Sequence, residues 1–384
     1  MNTVYCWAKW LISNSIVHMQ KKKVGKNNMN ENIKISLIMI VKNEEENLGR
    51  CLKSVKNIVD EIIIVDTGSQ DNTKKVALSF GAKVFDFTWT NDFSEARNYA
   101  ISKSTGDWNL MLDADEYIKR GTREDLKKAL THTKQIGKIE LRDAFKRGGE
   151  IEYSKAFISR IAPSGVFYKG KIHEQMDSDY PRVNVPIEVY HDGYLHIDKS
   201  ERNLEILFEQ LKEDSRDAYM LYQIAHTLFL SEKVQEANHY FEEFYKYAPN
   251  NVSYRCNGIV DYIYNVRSLG CLEAGIKIIE KEKKLFDDSP DFHFVSGLFY
   301  TDLVLSDIEK YINYLPLIEV SYLRCLEIGE TKKYDSVIGT GSFSAAYNLG
   351  IWYELSKKND KARQYYQMAL SWGYNKAKTR LEKL

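Results

Sequence analysis

From Ile35 onward the chain alternates two hydrophobic patterns. Residues 35–41, ISLIMIV, form an unbroken apolar run rich in β-branched side chains, the mark of a strand covered on both faces. Leu48, Leu52, Val55 and Val59 then recur at spacings of three and four, which predicts a helix. EIIIVD (61–66) reads as a second strand. A helix follows from Asp71, carries Val76 and Phe80, and ends at Gly81. AKVFDF (82–87) is a third strand, DFSEARNYAISKSTG (92–106) a helix with an early acid and a closing glycine, and WNLMLD (108–113) a fourth strand. Strands alternating with helices imply parallel crossover units and an open, doubly wound α/β sheet. Ligands of such sheets bind just beyond the carboxyl ends of the strands. Asp66 and Asp113 both stand at such ends.

After residue 136 the helical pattern stops. IGKIELRDAF, KAFISRIAP, GVFYKGKIHEQ and RVNVPIEVYHDGY all read as strands, with a Gly148-Gly149 turn between the first two. They predict an antiparallel or mixed extension of the same domain. From Ser200 a 3.6-residue period dominates, and it repeats. Leu221, Ile224 and Ala225, then Ala237, Phe241, Phe244 and Pro249, match a tetratricopeptide unit over residues 218–251. From Phe343 the same offsets return as Ala346, Leu349, Gly350 and Tyr353, then Ala362, Tyr366 and Ala369, without the closing proline. Residues 252–342 read as helical with degenerate repeats. The pattern thus predicts three parts: an N-terminal extension over 1–32, a nucleotide-type α/β domain over 33–198, and an all-α repeat domain over 199–384.

Composition narrows the class. The 384 residues carry 54 basic and 54 acidic side chains. This balance argues against nucleic acid or an anionic membrane as the main partner. Five scattered cysteines with no CxxC pair argue against structural zinc and for a reducing, cytoplasmic setting. Residues 1–30 hold a mildly apolar stretch interrupted by Lys9, Ser13 and Asn14 and followed by Lys21-Lys22-Lys23. That is the reverse of a secretory signal, and it falls short of the roughly 20 apolar residues of a membrane span. It reads as a poorly ordered or locally packed extension. The 26 tyrosines gather in the second half, where packing is the plain reading and a binding surface the alternative.

The candidate chemistry lies in NLMLDADEYI (109–118), where an apolar run ends in Asp113, Asp115 and Glu116. Three acids at short range repel unless something offsets them. The loop after the first strand, VKNEEEN, has no glycine, so neither a dinucleotide fingerprint nor a P-loop is present to cradle phosphates. A divalent cation held by the D-x-D pair would supply the missing countercharge, and carboxylates suit Mg²⁺ or Mn²⁺. Taken alone, D-x-D is more often a solvated acidic turn.

SLIMIVKNEEENLGRCLKSV, EIIIVDTGSQDNT, WTNDFSEARNYAI and WNLMLDADE, in that order, resemble family 2 glycosyltransferases of the GT-A (Rossmann-like) fold, over about residues 33–195. The resemblance implies a UDP-sugar donor and a metal at D-x-D. It implies Asp66 on the uracil, Val41 and Glu44 lining the nucleoside pocket, and Asp113 on ribose or metal. Asp115 would ligate the metal, and His191 would complete its shell or serve as a structural histidine. Arg97 would meet phosphate or sugar; its plain alternative is a helix-surface pairing with a nearby acid.

KGKIHEQM and VYHDGY extend the resemblance to a branch with C-terminal helical repeats, the bacteriocin peptide S-glycosyltransferases of the sublancin type. That branch implies transfer of a hexose, glucose, to a cysteine or serine of a precursor peptide. An inverting transfer needs a base. His173 and Glu174 would face opposite sides of a strand, so only one could reach the sugar; Glu174 is favoured and His173 is the alternative. The repeats would bind the peptide, form a homodimer, or both. Two other readings stand beside this one: a transferase acting on a cell-envelope glycan or lipid-linked acceptor, and a non-catalytic repeat scaffold.

Overall fold

A computed structural model of the chain describes residues 33–130, 134–147, 150–192 and 200–384. The N-terminal extension over 1–32, the Gly148-Gly149 turn, the Gly193-Tyr194 end of the second motif and the 198/199 boundary lie outside the described residues. Residues 34–384 form one compact unit.

The first part follows the predicted alternation: β1 (Ile35–Val41), α1 (Leu48–Val55), β2 (Glu61–Asp66), α2 (Thr73–Ser79), β3 (Lys83–Asp86), α3 (Phe93–Ser102) and β4 (Trp108–Met111). Next come β5 (Glu116–Arg120) and α4 (Arg123–Ala129), neither of which the hydrophobic pattern indicates. β6 (Ile136–Arg147), β7 (Glu150–Pro163), β8 (Tyr168–Lys169), β9 (Gln175–Met176) and β10 (Arg182–His191) complete the region.

The main sheet runs β3-β2-β1-β4-β7-β6-β10-β5. β1 pairs in parallel with β2 and β4, and β2 with β3, as crossover units require. β7 pairs antiparallel with β4 and β6, so the extension is mixed. The apolar runs of β1 and β4 are buried throughout or nearly so, as strands covered on both faces should be. The stretch 165–175 departs from the expected long strand. It forms only the two-residue β8 and β9, joined by a loop in which His173 has φ +50°.

The second part is helical: α5 (Ser200–Leu211), α6 (Ala218–Leu230), α7 (Val234–Tyr247), α8 (Arg255–Ser268), α9 (Leu272–Glu282), α10 (Pro290–Ser306), α11 (Ile308–Tyr311), α12 (Leu315–Ile328), α13 (Phe343–Leu355), α14 (Asn359–Ser371) and α15 (Lys376–Leu381). The repeat positions do what their sizes dictate. Ala225, Ala237, Phe241 and Phe244 are fully buried in the first unit, as are Ala346, Leu349, Ala362, Tyr366 and Ala369 in the second. Gly350 lets α13 approach α14 so closely that a Cβ there would sit 2.4 Å from the Tyr366 ring. Between the two units, Ser336–Val337 forms β11, which pairs antiparallel with Ser154 and Lys155 of β7. The helical part therefore supplies a strand to the sheet of the first part.

Candidate active site

The loop after β1 has no glycine because side chains do the work of shaping it. Asn43, at φ +54°, donates its backbone N–H to Ser69 Oγ and accepts from the N–H of Gln70. The Glu45 N–H goes to Asp71, and the Glu45 carboxylate takes both the backbone and side-chain N–H of Asn72. The β1 and β2 loops are thus stitched together at the carboxyl ends of their strands. Asp66 ends β2 fully enclosed, with Oδ1 accepting from Gly68 and Ser69 N–H at 2.9 Å and Lys74 Nζ 3.8 Å away. Its Oδ2 is buried with no hydrogen-bond partner.

Asp92 caps α3 by accepting from Glu95 N–H, and this fixes the helix so that Arg97 points inward. Arg97 is 4% exposed. Its Nε and Nη2 reach Oε1 of Glu174 at 2.8 and 2.7 Å, and Nη2 lies 3.4 Å from Asp113. The other side of Asp113 meets Arg160, whose Nη2 is 2.9 Å from Oδ2 and 2.5 Å from Glu116 Oε1. Sheet register explains Arg160: Ile161 pairs with Leu110, so position 160 falls beside the end of β4. Register also explains His191, which pairs with Glu116 across β5 and with Asp143 across β6. His191 Nδ1 is 2.6 Å from Asp143 and Nε2 is 3.4 Å from Asp115.

The repulsion among the acids is therefore offset by protein cations. Burial works against the charge of Asp113, but the Arg160 and Arg97 guanidiniums outweigh it and hold the carboxyl well below the usual range. Burial pushes Glu116 upward against the pull of Arg160. Burial would also discharge His191; Asp115 and Asp143 overcome it and raise the imidazole to about 10. His173 has no such partner, and burial, with His226 adding, lowers it to about 4.

A cavity of about 1230 Å³ is lined by Val41, Glu44, Arg97, Asp113, Asp115, His173, Glu174 and His191, among others. Asp66 is the one predicted site residue outside that lining, although its neighbour Thr67 belongs to it. His173 and Glu174 sit on a loop and not on the expected strand, so the opposite-faces premise does not hold, and both line the cavity. Among the described residues, no three His, Cys, Asp or Glu side chains are gathered closely enough to hold a cation as they stand. Of the predicted trio, Asp115 and His191 are adjacent while Asp113 is turned to the arginines. Arg160 and the helical residues that line the cavity carry no signal in the sequence pattern. Arg160 lies mid-strand and far from the acids in sequence, and only the strand register joins them.

The family model described as glycosyl transferase family 2 matches residues 36–186. A TPR repeat-containing protein of Synechococcus elongatus is 41% identical over 145 residues, covering 37% of this chain and 35% of that protein. The SPbeta prophage-derived glycosyltransferase SunS of Bacillus subtilis is 25% identical over 306 residues, covering 76% of this chain and 64% of that protein. The match to S. aureus TarS 1–349 in complex with UDP has 18% identity and a TM-score of 0.34, covering 61% of this chain and 89% of that one. The chain spans about a third of the length of the first of these relatives and less than two thirds of SunS. Among the described residues, no helix is long and apolar enough to cross a membrane. The chain carries a glycosyltransferase domain of family 2 joined to tetratricopeptide-like helical repeats, in an arrangement resembling the sublancin-type enzymes.

Proposed function

We propose that this chain is a cytoplasmic, inverting glycosyltransferase that moves a hexose, glucose, from a UDP-sugar to a cysteine or serine of a precursor peptide. Residues 33–198 handle the donor, and residues 199–384 meet the acceptor and a second copy of the chain. The observation that carries the reading is the buried charge set at the end of β4, where Asp113 lies between Arg97 and Arg160. A diphosphate is the ligand such a set suits: its oxygens can replace carboxylates on the same guanidinium forks. The unpartnered buried Nη1 of Arg97 and Nε of Arg160 leave donors for it.

The uracil takes Asp66, whose buried Oδ2 still has acceptor capacity, and Val41 and Glu44 flank the nucleoside. Asp115 would hold Mg²⁺ or Mn²⁺, with Asp113 and His191 completing the shell. Asp115 and His191 Nε2 lie 3.4 Å apart, so a cation between them would have to displace the proton that the imidazole holds at neutral pH. When bound, the cation would neutralise charge on the leaving diphosphate. As Arg97 turns to phosphate it releases Glu174, which takes the acceptor's proton. Neutral His173 beside it is the alternative base. A thiol acceptor asks less of that base than a hydroxyl, because its free pKa is about 8.5.

UDP release and peptide mass, followed with several UDP-sugars, Mn²⁺ and cysteine- or serine-bearing peptides, test the reading. Asp115→Ala is expected to abolish transfer while leaving the unfolding midpoint within a few degrees. Full activity in that variant would reduce the D-x-D stretch to an acidic turn. Turnover with glycans and with no peptide would move the acceptor to the cell envelope.

A further inference from the structure

The cavity is larger than a donor alone requires. Its volume of about 1230 Å³ exceeds the roughly 300–1,000 Å³ of a single small-ligand site. Its wall continues past the donor residues onto the helical part. There α6 presents Tyr219, Tyr222, Gln223 and His226 to the cavity. These are positions i, i+3, i+4 and i+7 of one helix face.

The rings form an unbroken row across the two parts of the chain. His173 meets Tyr219 edge-on with centroids 6.5 Å apart, and Tyr219 meets Tyr254 at 5.0 Å. Tyr254 stacks on Tyr222 at 6.1 Å, and Tyr222 meets His226 at 5.7 Å. Tyr254, just ahead of α8, also lines the cavity. At the far end His226 is held by Asp261 of α8, with Nδ1 2.8 Å from its carboxylate. The Tyr222 hydroxyl donates to the same carboxylate at 3.2 Å. Burial opposes a charge on the imidazole, and Asp261 outweighs it and pushes the pKa up. Nε2 has no hydrogen-bond partner among the described residues, and the side chain keeps 35% of its surface exposed. A simple tie between α6 and α8 would need the His226–Asp261 contact; it would not need cavity-facing rings leading from there to the catalytic loop.

We infer that this row is the acceptor track. An extended peptide lies along α6, its side chains set against Tyr219, Tyr254 and Tyr222, with a backbone carbonyl accepting from Nε2 of His226. The inference rests on the donor reading above. The lengths match: Tyr219 to His226 covers about 10 Å of helix axis, which is about three residues of extended chain. Gln223 between them presents one donor side and one acceptor side, as each peptide unit does. The other end of the row is His173, next to Glu174, so a side chain there lies beside the proposed base. Asp261 is a positioning residue acting through His226. Among the described residues, the titratable groups that act on or touch His226 are Asp261, Tyr222 and His173, and Asp335 acts on Tyr222.

The test uses the full chain with UDP-glucose, Mn²⁺ and a pool of synthetic peptides bearing a central cysteine or serine, read by mass spectrometry. With the peptide modified fastest, Tyr254→Ala and His226→Gln are each expected to raise the peptide KM at least tenfold. Both should leave kcat within threefold and UDP release to water within twofold. Tyr254→Phe, which keeps the ring, should retain the wild-type KM. Asp261→Asn should raise KM and shift its pH profile, which loss of a purely structural tie would not do. An unchanged peptide KM in both main variants overturns the inference, as does an equal fall in the water reaction. Modification of glycan acceptors with no peptide modified overturns it as well. If the wild type binds no UDP by calorimetry, the donor reading fails and the track falls with it. If it binds UDP and both main variants keep the wild-type peptide KM, only the track falls.

Discussion

Two arrangements of buried arginine can be set side by side. Arg97 and Arg160 share Asp113 at the edge of a cavity, Arg97 also holding Glu174 and Arg160 also holding Glu116. Arg255 and Glu282, each only 4% exposed at the side chain, form a 2.9 Å pair between α8 and α9, with Arg255 also donating to the Ala248 carbonyl. Neither of them lines the cavity. The first arrangement holds charges where a ligand can take over one of the partners. The second is sealed among side chains and can only be kept or broken. Burial of charge is costly in both cases, so the difference lies in whether the cost can be turned to binding.

Replacements should separate the two. Arg160→Met strips countercharge from Asp113 and Glu116 and a donor from the proposed diphosphate site. Turnover should fall by about 10²–10³ or more, read as UDP release, with UDP affinity lost in calorimetry. Arg255→Met leaves Glu282 buried without its partner and should cost about 3–5 kcal/mol in urea unfolding, with UDP affinity of the folded fraction unchanged. The double replacement Arg255→Met/Glu282→Leu should recover most of that loss, whereas no second substitution at Asp113 should restore turnover to Arg160→Met. Full recovery of turnover there would erase the distinction. Gly275→Ala probes packing without charge: its Cβ would lie 2.1 Å from the Phe299 ring. The expected cost is about 1–3 kcal/mol, with the donor reaction unaffected once folded.

How far the sequence reached follows from the range of each interaction. β1, most of β2 and β4 were legible because strands buried on both faces show as continuous apolar runs, whereas β3 is exposed or half-buried throughout. The repeat helices were legible because small residues must recur where helices touch. β5 and α4 were not, since EYIKR and REDLKKA are short, polar and mostly half-exposed. The loop identity of His173 depends on a left-handed backbone that no local pattern announces. For the site, Asp113 and Asp115 stood out as neighbours in sequence. Arg160 did not, because strand register alone brings it to them. The cavity lining contributed by α6 was invisible for the same reason: its side chains reach the cavity only once the helices are seated against the loop of His173 and Glu174.

β11 has a consequence for how the chain is made. Ser336 and Val337 complete a sheet whose partner strand β7 lies nearly half the chain earlier. Such a pairing closes a very long loop, and contacts of that kind form slowly and late. During synthesis from the N-terminus, Ser154 and Lys155 of β7 emerge well before β11 exists, and an unpaired strand edge invites other chains. The helical part is therefore more than an appendage: the arrival of β11 covers an edge that the nascent first part cannot close alone. A chain cut after the first repeat unit would carry the donor residues intact and still be expected to aggregate.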